Sequence, residues 1–304
     1  MWFRKVFTNG GSEMIKKTDE YWKKDLNQLL VDSLVHPNVA DNTKIGFYYY
    51  TKAPNYLYKY YGDRKHNIDA VFNNKMWYSA PVRFNDPYDC DFAIDEPATI
   101  DSLLRSIAYT NNMKRGSEAW KNACVALKKA FPSFRETLDT MKSSIGIACL
   151  SESFDTMLMW SHYANNHKGM CVEYNLMDFV TNLNFTPIPV IYSNEKSILE
   201  KLRINSIDED ILGFFLNSIV HKDTVWEYEN EWRIVRDNNA CGEQWDNGRQ
   251  GALLNSVRPV SVILGCNAEP EFEKEVIGKC NSEGIRVCKM VKGTGDYGMS
   301  RVEL

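Results

Sequence analysis

The first clear pattern of apolar and polar positions lies between residues 15 and 36. Tyr21, Trp22, Leu26, Leu29, Leu30 and Val31 recur at helical spacing with lysines and acids between them, which predicts an amphipathic helix ended by the polar stretch Asn38 to Asn42. Residues 1–14 lack the pattern and read as a loose tail. The Tyr-rich segments 45–50 and 56–60 suit strands or a strand–turn–helix. A short helix is expected over Asn67 to Phe72, then a strand over Met76 to Ser79 closed by Pro81.

Further along, residues 99–142 predict one or two helices, punctuated by Gly116 and Pro132. Ile145 to Leu150 reads as a short buried strand and Asp155 to Ala164 as a helix. Strands are expected at Met170–Tyr174, Val190–Tyr192 and Tyr228–Val235, and a helix over 195–222. The chain then reads strand (Val260–Leu264), helix (Glu269–Cys280), strand (Ile285–Met290) and a Gly-rich, mobile end. Short strands scattered among helices of different lengths, with no internal repeat, predict an α+β protein with a mixed sheet flanked by helices. The expected organisation is an N-terminal tail and helix over 1–44 and one core domain over 45–304, with a helical insertion near 99–142.

Composition changes this picture little. A chain of 304 residues can bury a large core, and 44% hydrophobic with 25% charged residues is ordinary for a globular protein. A net charge of −4 gives no general attraction to nucleic acid or anionic membrane. The eight cysteines show no C-x-x-C pair and sit among apolar neighbours, as in Ile147-Ala148-Cys149-Leu150, so they read as buried free thiols in a reducing cytoplasm. No apolar targeting segment or membrane-spanning run is evident, which predicts a cytoplasmic protein without a membrane partner.

Four segments can carry chemistry, and each also has a plain structural explanation. In Tyr58-Lys59-Tyr60 a cation stands between two phenols; taken alone, a half-buried strand with a snorkelling Lys is the better explanation. In Tyr78-Ser79-Ala80-Pro81-Val82-Arg83-Phe84-Asn85-Asp86-Pro87-Tyr88-Asp89, Asn85 and Asp86 can lock a turn on their own backbone, or the loop, with Asp89 and Asp91, can form a pocket rim. Asp86, Asp89 and Asp91 offer oxygen ligands to a divalent metal, without the calcium-loop pattern.

The third segment places Trp160, Tyr163 and His167 at spacings of three and four, one face of a helix if the helix continues. Such a face suits stacking on a planar ring; core packing with His167 as a helix cap is the alternative. His162 and His167 lie five apart, a poor spacing for zinc. In the fourth, a strand would turn Glu227, Glu229, Glu231 and Arg233 one way. A row of like charges needs solvent, cations or a purpose. It is either a solvated edge or a carboxylate that orients a ribose hydroxyl in glycosyl transfer.

Taken in order, Leu57-Tyr58-Lys59-Tyr60, Tyr78-Ser79 with Phe84-Asn85-Asp86-Pro87, Met159-Trp160-Ser161-His162-Tyr163-Ala164 with His167-Lys168-Gly169, and Glu229-Asn230-Glu231-Trp232-Arg233 resemble a widespread bacterial family of unknown function. Some of its members are associated with abortive infection and phage defence. The layout also looks like a distant ADP-ribosyltransferase with a split sheet. That likeness implies NAD as substrate and a protein, nucleic acid or water as acceptor. It implies Tyr58 or Lys59 on the ribose or phosphates, Tyr78 and Ser79 beside the nicotinamide, Glu231 on the ribose 2′-hydroxyl and Glu229 positioning the acceptor, with Asn85, Trp160, Tyr163 and His167 completing the site. The first motif lacks the His or Arg of those enzymes, and no Ser-Thr-Ser follows. Two further readings are a non-catalytic defence component, antitoxin-like or nucleotide-sensing, and a metal-dependent nuclease using Asp86, Asp89, Glu229 and Glu231.

Overall fold

A computed structural model describes residues 7–36, 38, 41–237, 241–242, 245–295 and 298–304, with side chains from residue 21 onward. The fold is mixed α and β, and the chain forms two compact units, each assembled from three segments.

One unit comprises Met1–Ala53, Tyr88–Thr140 and Pro189–Asp223 and is mostly helical. Its first helix spans Phe7–Val35, so the expected tail is helical from residue 7; residues 1–6 lie outside the described residues. Trp22, Leu26, Leu30 and Val31 form its buried stripe. The Tyr-rich stretch 45–50, expected as strand, lies in a helix, Asn42–Thr51. Local polar chemistry decides this: Asp41 caps the helix by accepting from the Lys44 amide at 2.9 Å, and Tyr48 donates to Asp25 at 2.5 Å. The expected insertion resolves into Glu96–Thr110 and the start of Glu118–Ser143, separated near Gly116, whose φ is +81°. Helix Glu118–Ser143 carries Pro132 in its interior instead of ending there. The long helix expected over 195–222 shrinks to Ile207–Ser218, preceded by a two-residue strand, Ile198–Leu199.

The second unit comprises Pro54–Pro87, Met141–Ile188 and Thr224–Leu304 and holds the main sheet. Its strands are β1 (Tyr56–Tyr61), β2 (Lys75–Ser79), β3 (Ile145–Ser151), β4 (Met170–Asn175), β5 (Glu231–Asp237), β6 (Trp245–Asp246), β7 (Gly251–Asn255), β8 (Ser261–Leu264), β9 (Arg286–Lys292) and β10 (Met299–Glu303). Its helices are α1 (Lys65–Phe72), α2 (Met157–Tyr163), α3 (Leu176–Asn182) and α4 (Pro270–Glu283). The strand order is β6-β7-β2-β3-β1-β4-β8-β9-β10, and β5 pairs with β3. The pairings are antiparallel except β8 with β9, which α4 links as a crossover. The expected mobile end instead supplies β10, paired along β9; Asp296 and Tyr297 lie outside the described residues.

The register opens the sheet at one place. β1 meets β3 at Tyr58–Ser151 and then follows β4, whereas β2 meets β3 at Ser79–Ile147 and otherwise follows β7. Both pair on the same edge of β3, two residues to either side of Cys149, so that edge forks there. The opposite edge of β3 is paired from Ile145 to Ser151 with β5. A buried carboxylate ties the far side of the sheet together. Glu173 on β4 accepts from Tyr58 at 2.8 Å, Ser261 at 2.5 Å, Arg286 at 2.8 Å and Arg301 at 3.3 Å. Burial alone pushes its pKa up; the Ser261 and Tyr58 hydrogen bonds and the two guanidinium groups overcome this and hold it below the ordinary carboxylate value.

Candidate functional site

The fork in the sheet is a cavity of about 690 Å³. Its closed end is formed by Lys59, Ser79, Ile147 and Cys149. The Lys59 ammonium donates to the Cys149 carbonyl at 3.0 Å, satisfying a strand carbonyl that neither β1 nor β2 reaches. The rim carries Arg64, His66, Arg83 and Arg249, all exposed, with Asn67 and the rings of Trp77, Phe84 and Tyr163. Arg249 lies over the Trp77 ring at 4.7 Å and pairs with Asp246 at 2.6 Å at the foot of its own hairpin. Among the described lining residues there are four Lys and Arg and no Asp or Glu.

Burial pushes the Lys59 pKa down, against the opposing influence of Cys149 and Glu231. The same burial pushes the Cys149 thiol well up, with Glu231 adding to it and Arg233 and Lys59 opposing. Cys149 is therefore a protonated thiol at neutral pH and a poor nucleophile.

Behind the Phe84 and Tyr163 wall lies a buried charge cluster. Glu231 and Arg233 are alternate residues of β5, side by side on one face, and form a two-pronged pair, Nε to Oε1 at 2.8 Å and Nη2 to Oε2 at 3.0 Å. Glu231 is 4% exposed and Arg233 0%. The Phe84 ring lies 5.5 Å from the guanidinium. Tyr163 donates to Glu229 at 2.7 Å, and Asn85 donates to the Tyr163 oxygen at 3.4 Å. The Phe-Asn-Asp-Pro turn, the end of α2 and the Glu-Asn-Glu-Trp-Arg segment thus converge on one hub.

Several expected residues sit differently. The strand expected at 228–235 begins at Glu231; Thr224–Glu229 is a 3-10 segment and Asn230 has a φ of +43°. Glu227, Glu229, Glu231 and Arg233 therefore do not form one row. Glu227 is exposed, Glu229 turns to Tyr163 and Glu231 to Arg233, which removes the expected repulsion.

Helix α2 stops at Tyr163, because Asn165, Asn166 and His167 take φ values of +46°, +54° and +66°. His167 returns beneath the helix and stacks on Trp160 at 6.4 Å, its Nε2 3.1 Å from the Ser161 hydroxyl. The following turn requires glycine, since a Cβ on Gly169 would collide with the Tyr61 carbonyl. Burial, then the Lys292 charge, lowers the His167 pKa. Trp160 is wholly buried, edge-on to Tyr60 at 5.3 Å, with Nε1 donating to the Phe154 carbonyl at 2.7 Å.

Of the expected site residues, the cavity gathers Lys59, Ser79 and Tyr163, with Asn85 and Glu229 one hydrogen bond behind Tyr163. Tyr58 is occupied by Glu173. Tyr78 points to the other face of β2 and meets Phe185 edge-on at 6.4 Å. Glu231, Trp160 and His167 are not among the described lining residues. Arg83 lies in the loop expected to form a turn or a pocket rim, whereas Arg64, His66, Trp77 and Arg249 are not among the expected site residues; Arg64-Lys65-His66 right after β1 is a local cationic cluster that points to the first two. Among the described residues no group of three His, Cys, Asp or Glu is arranged to hold a metal ion.

No curated protein and no solved structure matches the chain significantly. Residues 159–234, which carry Tyr163, Glu229, Glu231 and Arg233, match the family described as protein of unknown function (DUF2971).

Proposed function

We propose that the sheet-bearing unit is a nucleotide-binding module whose ligand enters the fork between β1 and β2. The observation that carries this reading is the lining of the cavity: four cationic side chains without an acid, interleaved with Trp77, Phe84 and Tyr163. Arg249 has an acid, Asp246, but among the described residues Lys59, Arg64 and Arg83 form no ion pair; such cations suit a polyanionic group, and the rings suit a planar base. A cavity of about 690 Å³ lies within the range of small-molecule sites. A defence role, which the sequence resemblance implies, would make such a module a sensor of nucleotide state. The test is calorimetric titration of the full chain with AMP, ATP and NAD. Binding that is lost in Arg83→Met supports the reading; no heat from any of the three contradicts it.

A second reading, cleavage of NAD at the nicotinamide–ribose bond, is favoured by one specific contact. Tyr163 lines the cavity and holds Glu229 directly behind it, so a carboxylate stands one side chain from the ligand. Glu231 is a poorer candidate for that role, because the Arg233 fork occupies both of its oxygens. Release of nicotinamide by the wild-type chain, lost in Glu229→Gln, selects this reading; binding without release selects the first.

A further inference from the structure

The fork is a blind wedge. Its two walls part from β3 at Tyr58–Ser151 and Ser79–Ile147, and its apex is backed by β5, paired along the whole of β3. Within the plane of the sheet the gap is closed on three sides, which suits the end group of a ligand better than a group with substituents on both sides. The apex holds one cation, Lys59, half-buried, while Arg64, Arg83 and Arg249 stand exposed at the rim. Among the described residues Lys59 has no carboxylate within ion-pair distance; its ammonium lies 5.9 Å from the Tyr61 ring centre and gives one of its three N–H donors to the Cys149 carbonyl. Two donors remain for a ligand. A charge placed there is less screened than one at the rim, where the effective dielectric approaches that of water. Burial lowers the Lys59 pKa, with Cys149 and Glu231 opposing, so a bound anion would favour its charged form. A phosphomonoester answers all three conditions. It is a chain end, it presents three acceptor oxygens, and it carries nearly two charges at neutral pH. An internal diphosphate, as in a dinucleotide, has ester links on both sides and suits the narrowing gap less well.

We infer that Lys59, at the closed end of the wedge, receives a terminal phosphate, so the site selects 5′-phosphorylated nucleosides over nucleosides and over dinucleotides with internal phosphates. The inference rests on the nucleotide-binding reading above and adds the ligand's polarity: phosphate at the apex, base towards the Trp77 and Arg249 rim. The shared chemistry is a nucleoside 5′-phosphate, supplied by a free nucleotide or by the 5′ end of a nucleic acid.

The experiment is calorimetric titration of the full chain with AMP, adenosine, NAD and a single-stranded decanucleotide with and without a 5′-phosphate. It is run on wild type, Lys59→Met and Lys59→Arg, with circular dichroism to confirm folding. The expected result is AMP binding at least tenfold more tightly than adenosine or NAD. That ratio should collapse to about one in Lys59→Met and be kept in part by Lys59→Arg. A phosphorylated decanucleotide that outbinds AMP and its own unphosphorylated form identifies a nucleic-acid end as the source; AMP outbinding it identifies the free nucleotide. A phosphate preference that survives Lys59→Met overturns the assignment of Lys59 while leaving nucleotide binding in place. Equal binding of AMP, adenosine and NAD by wild type also overturns it, even if Lys59→Met does not fold. Absence of any binding by wild type removes the underlying reading and this one together.

Discussion

Two clusters of charge stand within the same unit, and they are built on opposite terms. In the hub, Arg233 and Glu231 are sealed from solvent and answer each other oxygen for nitrogen, and Tyr163 satisfies Glu229. In the wedge, Lys59, Arg64 and Arg83 share a cavity whose described lining contains no carboxylate, and Arg249 alone has an acid, Asp246. A charge that finds its partner inside the chain serves the fold, because a buried ion left alone is far costlier than one in a pair. A charge left without an internal partner weakens the fold slightly and gains its partner only when a ligand arrives. The contrast also explains why Glu231, the most conspicuous carboxylate in the sequence, is the less suitable catalytic group: it is already engaged.

Five substitutions sharpen or break that contrast. The largest effect is expected from Arg233→Met, which strands Glu231 in the interior and should cost about 3–5 kcal/mol, read as a fall in the urea midpoint. Glu231→Gln falls in the same class, so loss of an activity in that variant reports on folding as much as on chemistry. Next comes Glu173→Gln, expected to cost roughly 2 kcal/mol by removing the charge that Arg286 and Arg301 share and turning one acceptor oxygen into a donor.

Glu173 also predicts a pH dependence. Its folded pKa is depressed, so its stabilisation is complete above the unfolded value of about 4.3 and is lost as pH falls through the lower folded pKa. An acid titration of unfolding should show this loss in wild type, and Glu173→Gln should lack that component.

A smaller effect, about 1 kcal/mol, is expected when Tyr163→Phe removes the hydroxyl donated to Glu229. A stability unchanged in that variant would show that Glu229 leans on its other contacts. The smallest is Arg64→Ala at the exposed rim. Screening limits it to about 0.5 kcal/mol of nucleotide affinity, a two- to threefold loss that added salt should erase.

Much of the architecture was legible in the chain. The strands at Met76–Ser79, Ile145–Leu150, Met170–Tyr174 and Val260–Leu264 announce themselves as short apolar runs between turn residues, and each is found within a residue or two. The Tyr-rich run 45–50 misled, because strand propensity yielded to a cap at Asp41 and a tertiary bond from Tyr48. The acidic run before Trp232 misled for a different reason. Alternation in sequence implies one face only while the backbone stays extended, and Asn230 breaks it with a left-handed turn.

The site was legible only in part. Lys59, Ser79, Asn85 and Tyr163 belong to motifs that stand out by composition. Arg64, Arg83 and Arg249 come from a loop after β1, a turn after β2 and a hairpin tip before β7, and nothing local links them. Their convergence follows from β1 and β2 sharing one edge of β3, a matter of register that no single segment encodes.

The most direct measurement sets the two clusters against each other: urea unfolding of wild type, Arg233→Met and Lys59→Met, with and without millimolar AMP. The account predicts that Arg233→Met lowers the midpoint sharply. Lys59→Met should lower it by no more than about 1 kcal/mol of stability, because the lost bond to the Cys149 carbonyl is offset by removal of a desolvated charge. AMP should raise the midpoint of wild type but not of Lys59→Met. A Lys59→Met chain as unstable as Arg233→Met, or one stabilised by AMP as strongly as wild type, would contradict the claim that the wedge keeps its cation for a ligand.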